Sequence, residues 1–171
     1  LAEAPAMQHD LANETPESVM NYLGVEKDSL EGLLLPDTYY YTYNTPDVDI
    51  LQQALAEMHE ALSEEWTLRQ IGLPYKNSYE ALIAASLIEK ETADDDEKSL
   101  IASVLVSRLR QGMRLQFDPT VIYGLGDRYK GKLSHSDMHI DTPYNTYMHK
   151  GLPPTPIANP GRASIHAALN P

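Results

Sequence analysis

The stretch SLIEKETADDD, Ser86 to Asp96, passes from apolar residues straight into carboxylates, and it holds two groups suited to acid–base chemistry, Glu89 and Glu91. A carboxyl held beside apolar side chains loses solvent. That disfavours its charged form and moves its pKa toward the range where it donates a proton near neutral pH. On a helix, Glu91 shares a face with Leu87 and Ile88, with Thr92 one step further round, so a buried or half-buried carboxylate is expected there. Glu89 stands in the same relation to Leu82 and Ala85, so periodicity alone does not choose between the two. An ion pair with Lys90, Lys98 or an arginine of the next helix fits the same pattern.

Two further stretches bring polar groups together. In RLQFDPTVIYGLG, the residues Gln116, Asp118 and Thr120 alternate with Phe117 and Pro119, ahead of Gly124 and Gly126. The segment from Asp141 to Pro160 is rich in proline, asparagine and tyrosine at irregular spacing, the composition of a functional loop, and carries Tyr144, Asn145 and Tyr147. These side chains suit hydrogen bonding and stacking against a ligand, and they also build turns. Asp118 is the candidate for a second reacting carboxylate. His135 and His139 are four apart, but the chain has no HExxH motif, so no metal site is expected. With no cysteine, disulfides, thiolate nucleophiles and thiolate-bound metals are excluded.

These groups sit in a chain of 171 residues, 42% hydrophobic, a size that fits one domain with a real core. The formal charge of −12 argues against nucleic acid and anionic lipid surfaces as partners, and Arg108, Arg110 and Arg114 make only a thin basic patch. No segment reaches the roughly eighteen apolar residues of a membrane span.

The elements that must position the candidates are mostly helical. PESVMNYLGV reads as a helix ended by Gly24, Val48 to Leu68 as a long amphipathic helix, and Asn77 or Ser78 as the cap of a helix running to Thr92. A further helix, with Leu100, Ile101, Val104, Leu105 and Leu109 on its buried face, stops at Gly112, and a last one covers Ala163 to Leu169. TYYYTYNTP favours an extended segment, and Tyr39, Tyr40, Tyr41 and Tyr43 would serve either as stacking platforms for a sugar or as core aromatics. The expected class is therefore α+β, a mostly helical core with long loops and a short β segment. Residues 1–76 form a helical and extended lead-in and 77–171 the catalytic core.

Taken in order, EGLLLPDTYYY, GLPYK, SLIEKET, RLRQGMRLQFDPTVIYGLG and YNTYMHKGLPPTPIANPGRASIHAALNP closely resemble the YceG-like family of endolytic murein transglycosylases. The resemblance covers roughly Glu31 to Pro171 and implies a lysozyme-related catalytic region truncated at both ends, whose full-length form has a membrane helix and a LysM-like domain ahead of it. It places the acid/base glutamate on Glu91, with Glu89 and Thr92 supporting it and Gln116, Asp118, Thr120, Tyr144, Asn145 and Tyr147 around the glycan. Phe117 and Thr155 depart from the family pattern, where a small polar residue and a glycine are expected. The implied reaction is lytic cleavage of the MurNAc–GlcNAc β-1,4 bond in nascent glycan strands, leaving 1,6-anhydro ends that terminate the strand, with no cofactor or metal. Peptidoglycan strands are the expected partner, cell-wall synthases further candidates, and the periplasmic face of the bacterial inner membrane the expected location, with membrane contact only through the absent N-terminal helix. The rival readings are a lysozyme-like hydrolase using Asp118 and a peptidoglycan-binding or scaffold module without turnover.

Overall fold

Local signals fix the helix ends. The structure is a computed structural model and describes residues 4, 6–26 and 29–171. Along them run α1 (Pro16–Tyr22), α2 (Asp47–Leu68), α3 (Ser78–Glu91), α4 (Asp95–Arg110), α5 (Asp118–Leu125) and α6 (Arg162–Leu169), with 3-10 turns at Gly126–Arg128 and Asp137–His139. The Asn77 side chain accepts the backbone N–H of Glu80 at 2.9 Å, satisfying a donor that the start of α3 leaves open. Thr15 caps α1 and Asp94 caps α4 in the same way. Gly112, past the end of α4, takes the left-handed φ of +62° that such an ending favours.

The helical part of the expectation holds and the β part does not. Among the described residues there is no strand, only an isolated parallel bridge between Gln8 and Pro46. Extended backbone becomes a strand only with a partner to pair its N–H and C=O groups. The tyrosine segment instead turns back, with the Tyr39 hydroxyl donating to the Leu35 carbonyl at 2.7 Å. Tyr40 and Tyr43 are left 90% and 79% exposed, so they are not core aromatics.

The axis of the fold is α3, buried at every position from Ala81 to Ile88 and packed against α2, α4, α5 and α6. Burying one Leu or Ile is worth roughly 2 kcal/mol, so a helix without a polar face is stable only where neighbours cover it all round. Leu35, Met58, Leu105, Leu115, Phe117, Ile157 and Leu169 supply that cover. Ser86 is the polar exception inside. It donates to the Ile83 carbonyl at 2.7 Å and accepts the Ile157 N–H at 3.0 Å, pinning the proline-rich loop to the helix.

The buried face of α4 differs from the expected one. Lys98, Ala102, Leu105 and Val106 face inward, whereas Leu100 is 68% exposed and Val104 is exposed too. The helix is rotated so that a lysine lies inside, which the ion pairs described below explain.

Gly32 holds the loop over this core. Its φ is +82°, and a Cβ there would collide with the ring of Pro156. Gly32→Ala is therefore expected to cost roughly 2 kcal/mol or more, from left-handed strain together with the collision, as a lowered thermal midpoint would register. An unchanged midpoint would mean that the Pro156 loop yields freely.

Candidate active site

The loop leading into α5 is shaped by Thr146. The Gln116 N–H donates to the Thr146 carbonyl at 3.1 Å and the Phe117 N–H to its hydroxyl at 2.9 Å. The Thr120 hydroxyl donates to the Phe117 carbonyl at 2.6 Å and lies 2.8 Å from the Thr146 hydroxyl. From α4, Arg108 donates to the Leu115 carbonyl. Gln116 is thereby held at a φ of +57°, a left-handed conformation that a non-glycine residue keeps only where its surroundings impose it. The result is a shelf tied together by these bonds, with Gln116 and Asp118 on its exposed side.

Two residues expected to face a ligand are instead inside the protein. Thr120 is fully buried in the threonine pair just described. Asn145, also buried, donates to the carbonyls of Met138 and Ile140 at 3.1 and 2.8 Å and accepts the Tyr147 N–H at 2.9 Å. A long loop without ladder partners must still pair its buried backbone groups, and these side chains do that. Their role is to hold the site's shape. Of the departures from the family pattern, Phe117 is buried in the core and Thr155 bonds the Tyr144 hydroxyl at 2.8 Å. Tyr144 also packs against Tyr123, with ring centroids 4.7 Å apart.

Glu91 ends α3 beside this shelf. Its backbone lies past the buried run, so the residue is exposed rather than buried on an apolar face. The helix is covered all round up to Ile88, and burial stops where it leaves the core, whichever face a residue occupies. The carboxyl nonetheless loses part of its solvent, which raises its pKa, and the negative charge of Asp118 adds to the rise. Whole-residue exposure includes the aliphatic stem, so the two observations agree on a partial effect at the tip. Asp118 accepts the Tyr147 hydroxyl at 2.5 Å. Burial, that bond and the charges of Asp118 and Glu91 push the Tyr147 hydroxyl up to about 12, against an opposing pull from Arg108. Glu91, Asp118 and Tyr147, from three separate stretches of sequence, thus form one electrostatic group, with Arg108 at its edge.

Glu89 faces the other way. Its Oε2 accepts the Gly161 N–H at 3.1 Å and the Ser164 hydroxyl at 2.5 Å, both at the start of α6. It also lies 3.7 Å from the ammonium of buried Lys98, which pairs with Asp95 at 2.7 Å. A carboxylate so engaged is a structural joint between α3, α4 and α6. Thr92 is likewise occupied, donating to Glu97 at 2.9 Å and accepting the Asp94 N–H at 3.0 Å. The geometry thus separates two carboxyls that periodicity left equivalent, with Glu91 the one on the loop side.

Arg108, Thr146 and Lys98 carry more of the site than the sequence suggested. The signals were present: Arg108 lies in the last turn of α4, Thr146 between two named candidates, and Lys98 one turn after Asp94 and Asp95. Four cavities of about 340, 530, 390 and 580 Å³ have linings that do not include Glu91, Asp118 or Tyr147. Among the described residues no group of three or more His, Cys, Asp or Glu is placed to hold a metal. No helix among them is long and apolar enough to cross a membrane.

Comparison with known proteins matches residues 2–171 to the profile of the YceG-like family. The chain is 39% identical over 166 residues to the endolytic murein transglycosylase of Bacillus subtilis, covering 95% of this chain and 45% of that protein. It is 34% identical over 151 residues to that of Streptococcus pneumoniae D39, covering 82% of this chain and 26% of that protein. The chain therefore spans less than half the length of these curated relatives. A crystal structure of a yceG-like protein from Listeria monocytogenes superposes with a TM-score of 0.70 at 37% identity, over 91% of this chain and 51% of that one.

Proposed function

Because the chain belongs to the YceG-like family, we propose that it carries the catalytic region of an endolytic peptidoglycan transglycosylase, with Glu91 as its acid and base. Residues 77–171 are the catalytic core and 1–76 its lead-in, and the helical core is taken to be lysozyme-related. The observation that carries the reading is the division between two carboxyls two residues apart: Glu89 is consumed by structure, and Glu91 is partly desolvated beside Asp118 and Tyr147. A raised pKa keeps a proton on Glu91 at pH values where an ordinary carboxyl has lost it.

That proton goes to the glycosidic oxygen between N-acetylmuramic acid and N-acetylglucosamine. The ionised Glu91 then takes the proton of the muramic C6 hydroxyl as that oxygen attacks C1, closing a 1,6-anhydro ring. The nucleophile belongs to the substrate and acts intramolecularly, so its effective concentration is high and no water enters the bond. Gln116 and Tyr144 flank the glycan, with Thr120, Asn145 and Thr146 fixing the shelf beneath them. An open shelf suits a polymer that enters from the side. The substrate is peptidoglycan, with cell-wall synthases as further partners, and the full-length protein works at the outer face of the bacterial cytoplasmic membrane.

The proximity of Asp118 favours one other reading, a hydrolase in which a second carboxylate activates water or attacks C1. Mass spectrometry of digested peptidoglycan separates the two, because only hydrolysis adds water and its products are heavier by roughly 18 mass units. Anhydro-muramic termini, arising within strands as well as at their ends, are the expected result. Reducing muramic termini would make the enzyme a hydrolase.

A further inference from the structure

The cavity of about 530 Å³ opens at the first turns of α3. Ile83, Leu109, Leu152 and Pro153 give it an aliphatic lining, to which Tyr79 adds one ring. At its rim Lys76 and Glu80 bring opposite charges together, the ammonium 3.4 Å from Glu80 Oε1 and the lysine side chain 85% exposed. The carboxylate is the fixed partner, because its Oε2 also accepts the Lys76 N–H at 2.8 Å. An exposed ion pair is worth only about 0–1 kcal/mol, so the lysine can turn from Glu80 to a ligand at little cost.

The place of this cavity relative to Glu91 follows from the helix that carries both. Glu80 and Glu91 are separated by close to three full turns of α3, so they stand on one side of it, roughly 16 Å apart along the axis. Two elements span that interval. The loop that bonds Asp118 through the Tyr147 hydroxyl reaches the cavity at Gly151 and Leu152. On α4, Arg108 donates to the Leu115 carbonyl at the foot of the shelf, while its neighbour Leu109 lines the cavity.

We propose that this cavity receives the peptide stem of the muramic acid held at Glu91, so that the substrate is gripped by its peptide as well as by its sugars. The inference rests on the reading of Glu91 given above. In peptidoglycan each muramic acid carries, on its lactyl group, a short peptide built from alanine, an acidic residue and a diamino acid. Extended chain spans at most about 3.3–3.6 Å per residue, so roughly four or five residues cover the distance from Glu91 to the cavity. The alanine methyls suit the aliphatic lining, where a sugar would leave hydroxyls without partners. The carboxylate and amine of the stem match Lys76 and Glu80 at the rim.

The test has a binding arm and a kinetic arm. In amide NMR of the parent protein, a synthetic alanyl-glutamyl-lysyl-alanine stem peptide should move the signals of Lys76, Glu80, Ile83 and Leu152 and leave that of Gln116 in place. In cleavage assays, strands with stems should show a KM roughly tenfold below that of strands stripped of them by an amidase, at similar kcat, as expected of contacts made equally in ground and transition states. Leu152→Asp, which puts a charge in the lining, should abolish the peptide-induced shifts and bring the two KM values together. Lys76→Ala, at an exposed position, serves if that variant does not fold, and should cut the KM ratio about twofold to fivefold. A peptide that moves no cavity amide overturns the proposal, as does a KM ratio that survives in both variants. Stem-free strands that move the cavity amides, with the peptide inert, would make it a sugar subsite and overturn it too. Peptide binding is read without cleavage, so it stands or falls apart from the assignment of Glu91, which the product termini decide.

Discussion

Glu91→Gln is expected to fold with the thermal midpoint of the parent and to cleave glycan strands about 100- to 10,000-fold more slowly, the scale on which a general acid or base contributes. The amide keeps the shape of the side chain and has no proton to give at neutral pH. Little of the fold depends on it, since Glu91 stands exposed where α3 leaves the core. Binding of glycan strands by the variant should persist, because the shelf proposed to hold them is built from Gln116, Thr120, Asn145 and Thr146. Parental rates in Glu91→Gln would remove the residue from the chemistry. A parent protein that binds strands and never cuts them would make this a binding module.

Glu89→Ala should have the opposite profile. It strips the Gly161 N–H and the Ser164 hydroxyl of their acceptor and takes one of two carboxylates from Lys98, whose side chain is 7% exposed. Hydrogen bonds to a charged group are worth about 1.5–3 kcal/mol, and a buried charge left short of partners adds to the loss. We expect destabilisation of about 2–4 kcal/mol, which for a chain of this length lowers the thermal midpoint by roughly 5–15 °C. The fraction that remains folded should cleave within about tenfold of the parental rate. Circular dichroism melting alongside a cleavage assay checks both halves. A stable but inactive Glu89→Ala would mean that the roles assigned to the two glutamates are exchanged.

The contrast between these glutamates shows what the sequence could and could not disclose. Helix starts and stops were legible wherever a short-range signal set them, as at Asn77 and at the glycines Gly24 and Gly112. Burial was less so, because it depends on what packs from outside. The apolar spacing of α4 pointed to Leu100 and Val104, yet the inward face carries Lys98, chosen by carboxylates on α3 and in its own first turn. Helix α5 is absent from the helices expected from the sequence, although Asp118 followed by Pro119 is a helix opening, with proline in the first turn where its missing N–H costs nothing. The tyrosine run had strand propensity and no partner strand.

Glu91, Asp118 and Tyr147 were named from the sequence, Thr146 was not, and the direction in which each faces was not legible there either. Tyr147 reaches Asp118, while Asn145, two positions earlier, faces inward to pair carbonyls that the loop would otherwise bury alone. Residue type is the same kind of signal at both positions. What differs is the set of backbone groups each finds next to it, which appears only when the loop is folded.

The all-round burial of α3 also divides the site by how readily its parts come loose. Backbone amides between Ala81 and Ile88 lie in the best-packed part of the molecule, and exposing them requires the surrounding helices to separate, a change close to global unfolding in free energy. The shelf residues hang instead on individual side-chain bonds, such as Thr120 to Thr146 and Asn145 to Ile140, which can break in a smaller, sub-global opening. Glu91, the proposed proton donor, thus stands just past that buried run, beside a unit held by bonds that open more readily.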